Sequence, residues 1–319
     1  MARGLLSRNL PIAGLALAAA AVLALGQASP DQGRRPSRTP DVPTAGSLLP
    51  HRAAVLAAGQ RAFQAWALER PQYNVGPDFN CSEGMECNDC HWTGSTFLLG
   101  VMEWHRATAD PHALAYAQRW AEYYDYTVCG EKSADSQGPD GLAERQPRLR
   151  HNINHQLSGA IYAELSALDN NETHLHSVAE LLGAEMADPS TDNFWSWVDA
   201  IHMAMNTWAR MGNLTGDRRY FAKQFANFNA SALTAANGRN KSDTKDPTAT
   251  AFGFWNASEQ LFYRDTRFLG TDVFWSRGNG WALGALVAGL RYGASADPHY
   301  GVYLRLFSEL AAKLARLQP

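Results

Sequence analysis

The first candidate for chemistry is a carboxyl group within residues 193–206, which read NFWSWVDAIHMAMN. Asp199 falls in the first turns of a predicted helix, beside aromatic residues and near a histidine. Partial burial at such a position would raise the pKa of the carboxyl toward neutrality, as a proton donor requires. The alternative is an acid that only stabilises the positive end of the helix dipole. The side chains that share a face with Asp199 at helical spacing are Trp195, His202 and Asn206.

A second candidate is a sugar pocket in residues 272–281, which read DVFWSRGNGW just before a predicted helix. Two glycines flank Asn279, and Arg277 stands between Trp275 and Trp281. A guanidinium binds a carboxylate with two parallel hydrogen bonds, and an indole stacks on a flat ring. The segment therefore predicts a pocket for a small, flat, acidic sugar. The alternative is a tight loop whose aromatic residues are structural.

Polar residues in 151–159 (HNINHQLSG) form a third candidate. His151 and His155 share a helix face and could ligate a metal, but no third ligand accompanies them. The better interpretation is that the polar side chains of this segment line a pocket and form hydrogen bonds there. Asp265, in the LFYRD segment, is a further carboxylate that precedes the Trp- and Arg-containing segment. The sequence contains no G-x-S-x-G, Walker A or G-x-G-x-x-G pattern. We therefore expect neither a metal nor a cofactor.

Helical periodicity predicts the elements that position these residues. A weak repeat of helix, turn with aspartate and second helix occurs around Asp110, Asp169, Asp217 and Asp297. It predicts helical hairpins joined by loops of unequal length, closed into a toroid. A stripe of Leu56, Gly59, Phe63 and Trp66 predicts a first helix, which Pro71 ends. The other predicted helices lie near 96–107, 110–126, 153–168, 172–187, 195–211, 217–233, 279–292 and 297–317.

The N-terminus predicts export. Residues 1–28 combine a basic start with an apolar run of roughly 16 residues and small residues at Gly26 and Ala28, which is typical of a signal peptide. A retained anchor is the alternative, but a spanning helix needs about 20 residues. Residues 29–50 form a Pro- and Arg-rich linker, and 51–319 the folded domain. Six N-glycosylation sequons favour a eukaryotic secretory route; they start at Asn80, Asn171, Asn213, Asn229, Asn240 and Asn256.

The four cysteines are Cys81, Cys87, Cys90 and Cys129. In an oxidising compartment they would form two disulfides, with three pairings open. Residues 87–91 also spell C-x-x-C-H, the pattern of covalent haem attachment, and the same residues could hold zinc. Both alternatives are weaker, because no second axial ligand is evident and exported cysteines usually oxidise.

Composition narrows the function classes. The 319 residues are 45% hydrophobic and carry a formal net charge of −3, so no general basic field attracts nucleic acid. Ten Trp and 11 Tyr are a large number of amphipathic rings, which suit stacking on sugars.

Together these segments resemble glycoside hydrolase family 105, which is related to family 88. The resemblance rests on WSWVDAIHMAMNTWARMGNLTGDRRYF, LFYRD and VFWSRGNGWALGALVAGL, and more loosely on HNINHQLSGAIY and WTGSTFLLGVMEWHRAT. It implies an all-α fold, the (α/α)6 barrel of six helical hairpins. It also implies a hydrolase whose substrate is an oligosaccharide left by a lyase. Such an enzyme hydrates the double bond of the 4,5-unsaturated uronic acid at the non-reducing end. Together with the N-terminus, this predicts a secreted hydrolase.

By motif match, Asp199 is the implied catalytic acid. The implied substrate-binding residues are Asn154, Trp195, His202, Arg264, Trp275, Arg277, Asn279 and Trp281. Asn154 stands where the family usually has a second aspartate, and Arg264 where many members have histidine. The chain ends at Pro319, where relatives continue, so the last hairpins are expected to be missing. A non-catalytic carbohydrate-binding relative is therefore the alternative function.

Overall fold

The computed structural model describes residues 52–67, 92–128, 153–189, 195–234, 253–293 and 296–318. The chain divides into two compact units, 1–69 and 70–319. The described element of the first unit is helix α1 (Arg52–Ala67). The predicted signal peptide, the linker, the four cysteines, His91 and His151 lie outside the described residues, so these expectations stay predictions.

The described part of the second unit is helical, as predicted. Its helices are α2 (Trp92–Thr108), α3 (Pro111–Tyr123), α4 (Ile153–Asp169), α5 (His176–Ala187), α6 (Val198–Thr215), α7 (Arg218–Phe228), α8 (Ser276–Ala288) and α9 (Tyr300–Leu317). A 3-10 turn (Glu172–Leu175) leads into α5, and π-helical turns extend α7 (Asn229–Leu233) and α8 (Gly289–Gly293). Two short strands, β1 (Trp255–Asn256) and β2 (Leu261–Phe262), pair antiparallel.

Helix caps confirm several predicted boundaries. Asp110 accepts a 2.9 Å hydrogen bond from the N–H of His112, with Pro111 at the first helical position of α3. Asp217 caps α7 in the same way, through the N–H of Arg219. These side chains satisfy amide donors that the first turn of a helix leaves without partners.

Four predicted helix starts are wrong. Helix α2 begins at 92 rather than 96, and α8 begins at 276 rather than 279. Helix α6 begins at 198 rather than 195, because Trp197 is extended and forms a β-bridge with Asp265. Helix α9 begins at 300 rather than 297, because Asp297 instead closes a turn by accepting the N–H of His299. The predicted start at 172, in contrast, agrees with the 3-10 turn (Glu172–Leu175) before α5, which the side chain of Asn171 caps.

The described helices of the second unit form four hairpins, in which α2, α4, α6 and α8 make an inner layer. Helix α6 is central, since it packs against both α4 and α8 and is buried from Ala200 to Gly212. Two contacts with α8 show that these helices are parallel: Val198 lies beside Gly278, and Met205 beside Gly289. The amino-terminal ends of α6 and α8 therefore lie at the same end of the layer.

The carboxy-terminal halves of the inner helices meet in a cluster of charges that we call the ion cluster. Its members are Glu103, Arg106, Glu164, Arg210 and Arg291. Arg210 Nε lies 2.7 Å from Glu164, and Arg291 Nη1 lies 2.6 Å from Glu103. Arginines near helix carboxy-termini also oppose the negative end of each helix dipole. The ion cluster thus joins all four inner helices at the end opposite Asp199.

Candidate active site

The site is built around Asp199, in the first turn of α6. Its side chain is half-buried, and Oδ2 is buried with no hydrogen-bond partner among the described residues. Burial raises the pKa of Asp199, while its own backbone N–H, Arg264 and Arg277 act in the lowering direction. A carboxyl group that keeps its proton above the ordinary range can serve as a proton donor.

The segment around Arg264 is fixed against the start of α6. The N–H of Val198 donates a 2.8 Å hydrogen bond to the carbonyl of Arg264, and Trp197 bridges Asp265. Asp265 is buried and accepts hydrogen bonds from Arg264 Nη1 at 3.0 Å and Arg267 Nη2 at 2.8 Å. Although burial raises the pKa of Asp265, its bonds to Arg267 lower the net value. Asp265 is therefore an ionised group that orients arginines, in contrast to Asp199.

Two arginines lie on the same indole. The guanidinium carbons of Arg277 and Arg264 lie 4.2 Å and 5.7 Å from the ring of Trp275. The exposed Arg277 forms no ion pair with any described residue. Positive charge beside an aromatic face can bind both the carboxylate and the ring of an acidic sugar.

The R-G-N-G segment holds this indole in place. A Cβ atom at Gly278 would lie 2.7 Å from Trp275 Cε3 and 2.8 Å from Val198 Cγ1, so only glycine allows this approach. Asn279 is buried and its amide bonds the backbone of β2, accepting from Phe262 N–H at 2.7 Å and donating to Phe262 O at 3.0 Å. Asn279 was predicted to bind substrate; here its side chain positions the segment.

Beside this surface lies the half-buried Trp281, which packs against the buried His202. The ring of His202 is buried and lies 4.8 Å from the half-buried ring of Trp281, centroid to centroid. Trp195 is fully buried, and its carbonyl accepts a 2.6 Å hydrogen bond from Ser231 Oγ. Trp195 was predicted to bind substrate, but its ring is fully buried and offers no surface to a sugar.

Asn154 lies in the first turn of α4 and is half-buried. Helices α4 and α6 contact each other at Gly159 and Thr207, and further toward their carboxy-termini at Glu164 and Arg210. The two helices therefore run in the same direction, which brings Asn154 to the same end of the layer as Asp199.

Sequence analysis missed the ion cluster and the bridge between Trp197 and Asp265. Glutamates and arginines at positions 103, 164 and 210 of otherwise apolar helices were the available signal for the cluster. Within the described ranges, no three His, Cys, Asp or Glu side chains are grouped to hold a metal. No helix of those ranges is both long and apolar enough to cross a bilayer.

The profile of Glycosyl Hydrolase Family 88 matches residues 71–319, well over half of the chain. The chain belongs to glycosyl hydrolase family 88. The resemblance that the motifs indicated is confirmed at this level.

Two curated relatives of this family member carry the same name. The chain is 24% identical over 250 residues to the unsaturated 3S-rhamnoglycuronyl hydrolase of Alteromonas sp. (strain LOR), a match that covers 71% of this chain and 53% of the relative. It is 25% identical over 246 residues to the enzyme of that name from Formosa agariphila, covering 72% and 58%. The family-88 chain thus spans little more than half the length of these relatives.

Solved structures support the fold. A glycosyl hydrolase family 88 protein from Bacteroides vulgatus superimposes with a TM-score of 0.57 at 19% identity, covering 84% of this chain and 68% of the other. A structure named as a polysaccharide lyase gives 0.56 at 22% identity, covering 72% and 61%. The hairpins described above are those of an (α/α)6 barrel, as predicted.

Proposed function

We propose that this protein hydrolyses oligosaccharides that end in a 4,5-unsaturated uronic acid, and that it acts by hydrating the double bond. The observation that carries the proposal is the environment of Asp199: a buried, unpartnered Oδ2 and a raised pKa, close to the charges of Arg264 and Arg277. Family membership and the names of the curated relatives support the same reaction.

The reaction needs one acid rather than the paired carboxylates of ordinary glycosidases. The protonated Asp199 gives its proton to C4, and the positive charge that develops is shared by C5 and the ring oxygen. Water adds its oxygen to C5 and returns a proton to the carboxylate, so the acid is regenerated. The resulting hemiketal opens by breaking the bond between C5 and the ring oxygen, which gives a ketone at C5 and a hemiacetal at C1. The hemiacetal then breaks down to an aldehyde, and its hydroxyl proton leaves with the linked sugar as an alcohol.

The uronate is bound by the positive side of the site. The exposed guanidinium of Arg277 pairs with the carboxylate, and the half-buried rings of Trp275 and Trp281 contact the flat, unsaturated sugar. Arg264 is held by Asp265 and adds positive charge beside the same indole. No general affinity for nucleic acid is expected, because the net charge is −3.

We also propose that the protein is exported, from the apolar N-terminal run and the six sequons. Among the described sequons, Asn171 and Asn213 are exposed at the surface. Expression in a secreting eukaryotic host, followed by endoglycosidase treatment of the medium, tests this. A mobility shift supports export, and retention inside the cell contradicts it.

A carbohydrate-binding protein without turnover is the second candidate, because Asn154 stands where the family usually has an acid. The deciding assay follows the ultraviolet absorbance of the substrate double bond during incubation with disaccharides from several lyases. Wild type and Asp217→Asn, which keeps its helix cap, should both consume the absorbance, whereas Asp199→Asn should not. Binding without absorbance loss in folded wild type would favour the binding protein.

A further inference from the structure

Three buried side chains connect the ion cluster with the sugar-binding end of α6. His202, Asn206 and Arg210 are spaced four residues apart on one helix and are 8%, 4% and 4% exposed. Residues at this spacing lie one above the other on a helix, so each side chain can contact the next.

The hydrogen bonds among these three side chains indicate which atom donates and which accepts in each contact. Arg210 Nη1 donates to Asn206 Oδ1 at 2.9 Å, and a guanidinium can only donate, so this atom must be the amide oxygen. The amide nitrogen of Asn206 then lies 3.3 Å from Nδ1 of His202 and 2.8 Å from its carbonyl. An amide nitrogen also only donates, so Nδ1 must accept. The proton of the neutral imidazole is therefore on Nε2.

The surroundings keep this imidazole neutral. Burial and, to a smaller extent, the charge of Arg210 lower the pKa of His202 to about 4, whereas the backbone of Trp281 acts in the raising direction. The facing helix α8 leaves room for the ring at Gly284, where a Cβ atom would lie 3.1 Å from Nδ1. Nε2 is buried and makes no well-formed hydrogen bond to a described residue.

Arg210 itself is held on three sides. Its Nε lies 2.7 Å from Glu164, its Nη1 also donates to the carbonyl of Asn206, and its guanidinium lies 4.3 Å from the ring of Tyr292. Tyr292 in turn hydrogen-bonds Glu164. The ion cluster therefore orients the amide of Asn206. Rotation of this amide by 180° would break its charge-assisted hydrogen bond with Arg210.

We propose that Arg210 and Asn206 are positioning residues for sugar binding: they hold His202 as a neutral Nε2–H imidazole against Trp281 and thereby fix the orientation of that indole. The consequence for sugar affinity rests on the proposed function, while the tautomer does not. The ion cluster then does more than join helices, because it sets the geometry of a ring at the opposite end of the layer.

The decisive variant is Asn206→Asp, which keeps the shape of the side chain and its bond to Arg210. Its second oxygen can only accept, so the proton of His202 should move to Nδ1. Nitrogen–proton correlation spectra of 15N-labelled protein distinguish the tautomers, and the signals lost in His202→Gln assign the residue. We expect Nε2–H in wild type and Nδ1–H, or a doubly protonated ring, in Asn206→Asp.

The kinetic arm uses the unsaturated disaccharide. Loss of the oriented ring should raise KM about fivefold to tenfold in Asn206→Asp and leave kcat within about twofold. Asn206→Leu, which removes all three hydrogen bonds of the Asn206 side chain, should give a mixture of tautomers and a KM similar to that of Asn206→Asp. If wild type turns over no substrate, affinity of the non-reacting disaccharide for each variant replaces KM.

Asn171→Asp is the matched control. The amide of Asn171 lies 3.0 Å from Nε2 of His174, far along the chain from the site, and an aspartate there still caps the turn. It should change the signals of His174 and leave those of His202 and the sugar affinity unchanged. An Nδ1–H or doubly protonated His202 in wild type at neutral pH overturns the proposal, and so does an unchanged affinity in Asn206→Asp with a switched tautomer.

Discussion

The N–H of Val198 donates a 2.8 Å hydrogen bond to the carbonyl of Arg264. The residue that precedes α6, Trp197, supplies no side-chain cap, so a distant loop satisfies an amide at the start of this helix. The same contact brings Arg264 and Asp265 to the first turn that carries Asp199. The charge environment of the acid is therefore set by the position of a loop.

Asp199→Asn should stabilise the protein at neutral pH. Burial raises the folded-state pKa of Asp199, so the folded state binds a proton more tightly than the unfolded chain. Stability linked to this group falls as pH rises through that pKa, and a neutral amide avoids the loss. Thermal unfolding should give a higher Tm for Asp199→Asn at pH 7, with the difference shrinking in acid. A lower Tm at pH 7 would contradict a desolvated carboxyl.

The pH dependence of turnover should have a basic limb set by Asp199. The acid must be protonated, so kcat should fall as pH rises through its raised pKa. Arg277 lowers this pKa, so Arg277→Met should move the limb to higher pH while KM increases. Arg305→Met, which changes an exposed pair with Glu309 on α9, is the control and should leave the limb in place. A limb that moves to lower pH in Arg277→Met would exclude Asp199 as the acid.

Two alanine substitutions in one segment should have opposite effects. Gly278→Ala drives a methyl group into Trp275 and Val198, which should cost about 1–3 kcal/mol of unfolding free energy and increase KM. Gly280→Ala meets nothing within 4 Å and should stabilise α8 by about 0.5–1 kcal/mol. Urea unfolding and steady-state kinetics on both proteins check this. Equal effects would mean that the indole is not held as described.

Glu164→Gln should lower the free energy of unfolding at neutral pH and have a smaller effect in acid. Although burial acts in the raising direction, Arg210 and Arg106 lower the pKa of Glu164 from 4.5 to about 2. The stability from this group is complete above the unfolded-state pKa and is lost as pH falls toward the folded-state value. From this shift, we expect Glu164→Gln to lower the free energy of unfolding by a value on the order of 3 kcal/mol at neutral pH. The difference from wild type should shrink toward pH 2, and urea unfolding at several pH values measures it.

The control for that measurement is Glu259→Gln. Glu259 is exposed and pairs with Lys313 at 3.3 Å across the surface. An exposed pair contributes less than about 1 kcal/mol, so urea unfolding across the same pH range should barely change. A cost as large as that of Glu164→Gln would show that burial does not separate the two pairs.

Asn154→Asp should increase turnover, because it restores an acid at the same end of the layer as Asp199. Its negative charge should also raise the pKa of Asp199 and therefore move the basic limb of the kcat profile to higher pH. Asn213→Asp, at the exposed end of α6, is the matched control and should change neither value. Unchanged turnover in Asn154→Asp would show that an acid at this position does not contribute to the reaction.

Much of this protein follows from local sequence. The period of apolar residues predicts the helices, and Asp110 and Asp217 predict where two of them begin, because capping depends on residues close along the chain. The order of residues around Asp199 and in the R-G-N-G segment was also enough to indicate the family, since those motifs are contiguous.

Tertiary structure decided what each of these residues does. The side chain of Asn279 hydrogen-bonds β2 and the ring of Trp195 is fully buried, because the neighbours of both residues come from distant parts of the chain. Likewise the raised pKa of Asp199 and the lowered pKa of Asp265 come from burial and from arginines brought near by folding. Residue types and local periodicity can be read directly from the sequence, whereas desolvation and long-range hydrogen bonds arise only when the helices pack together.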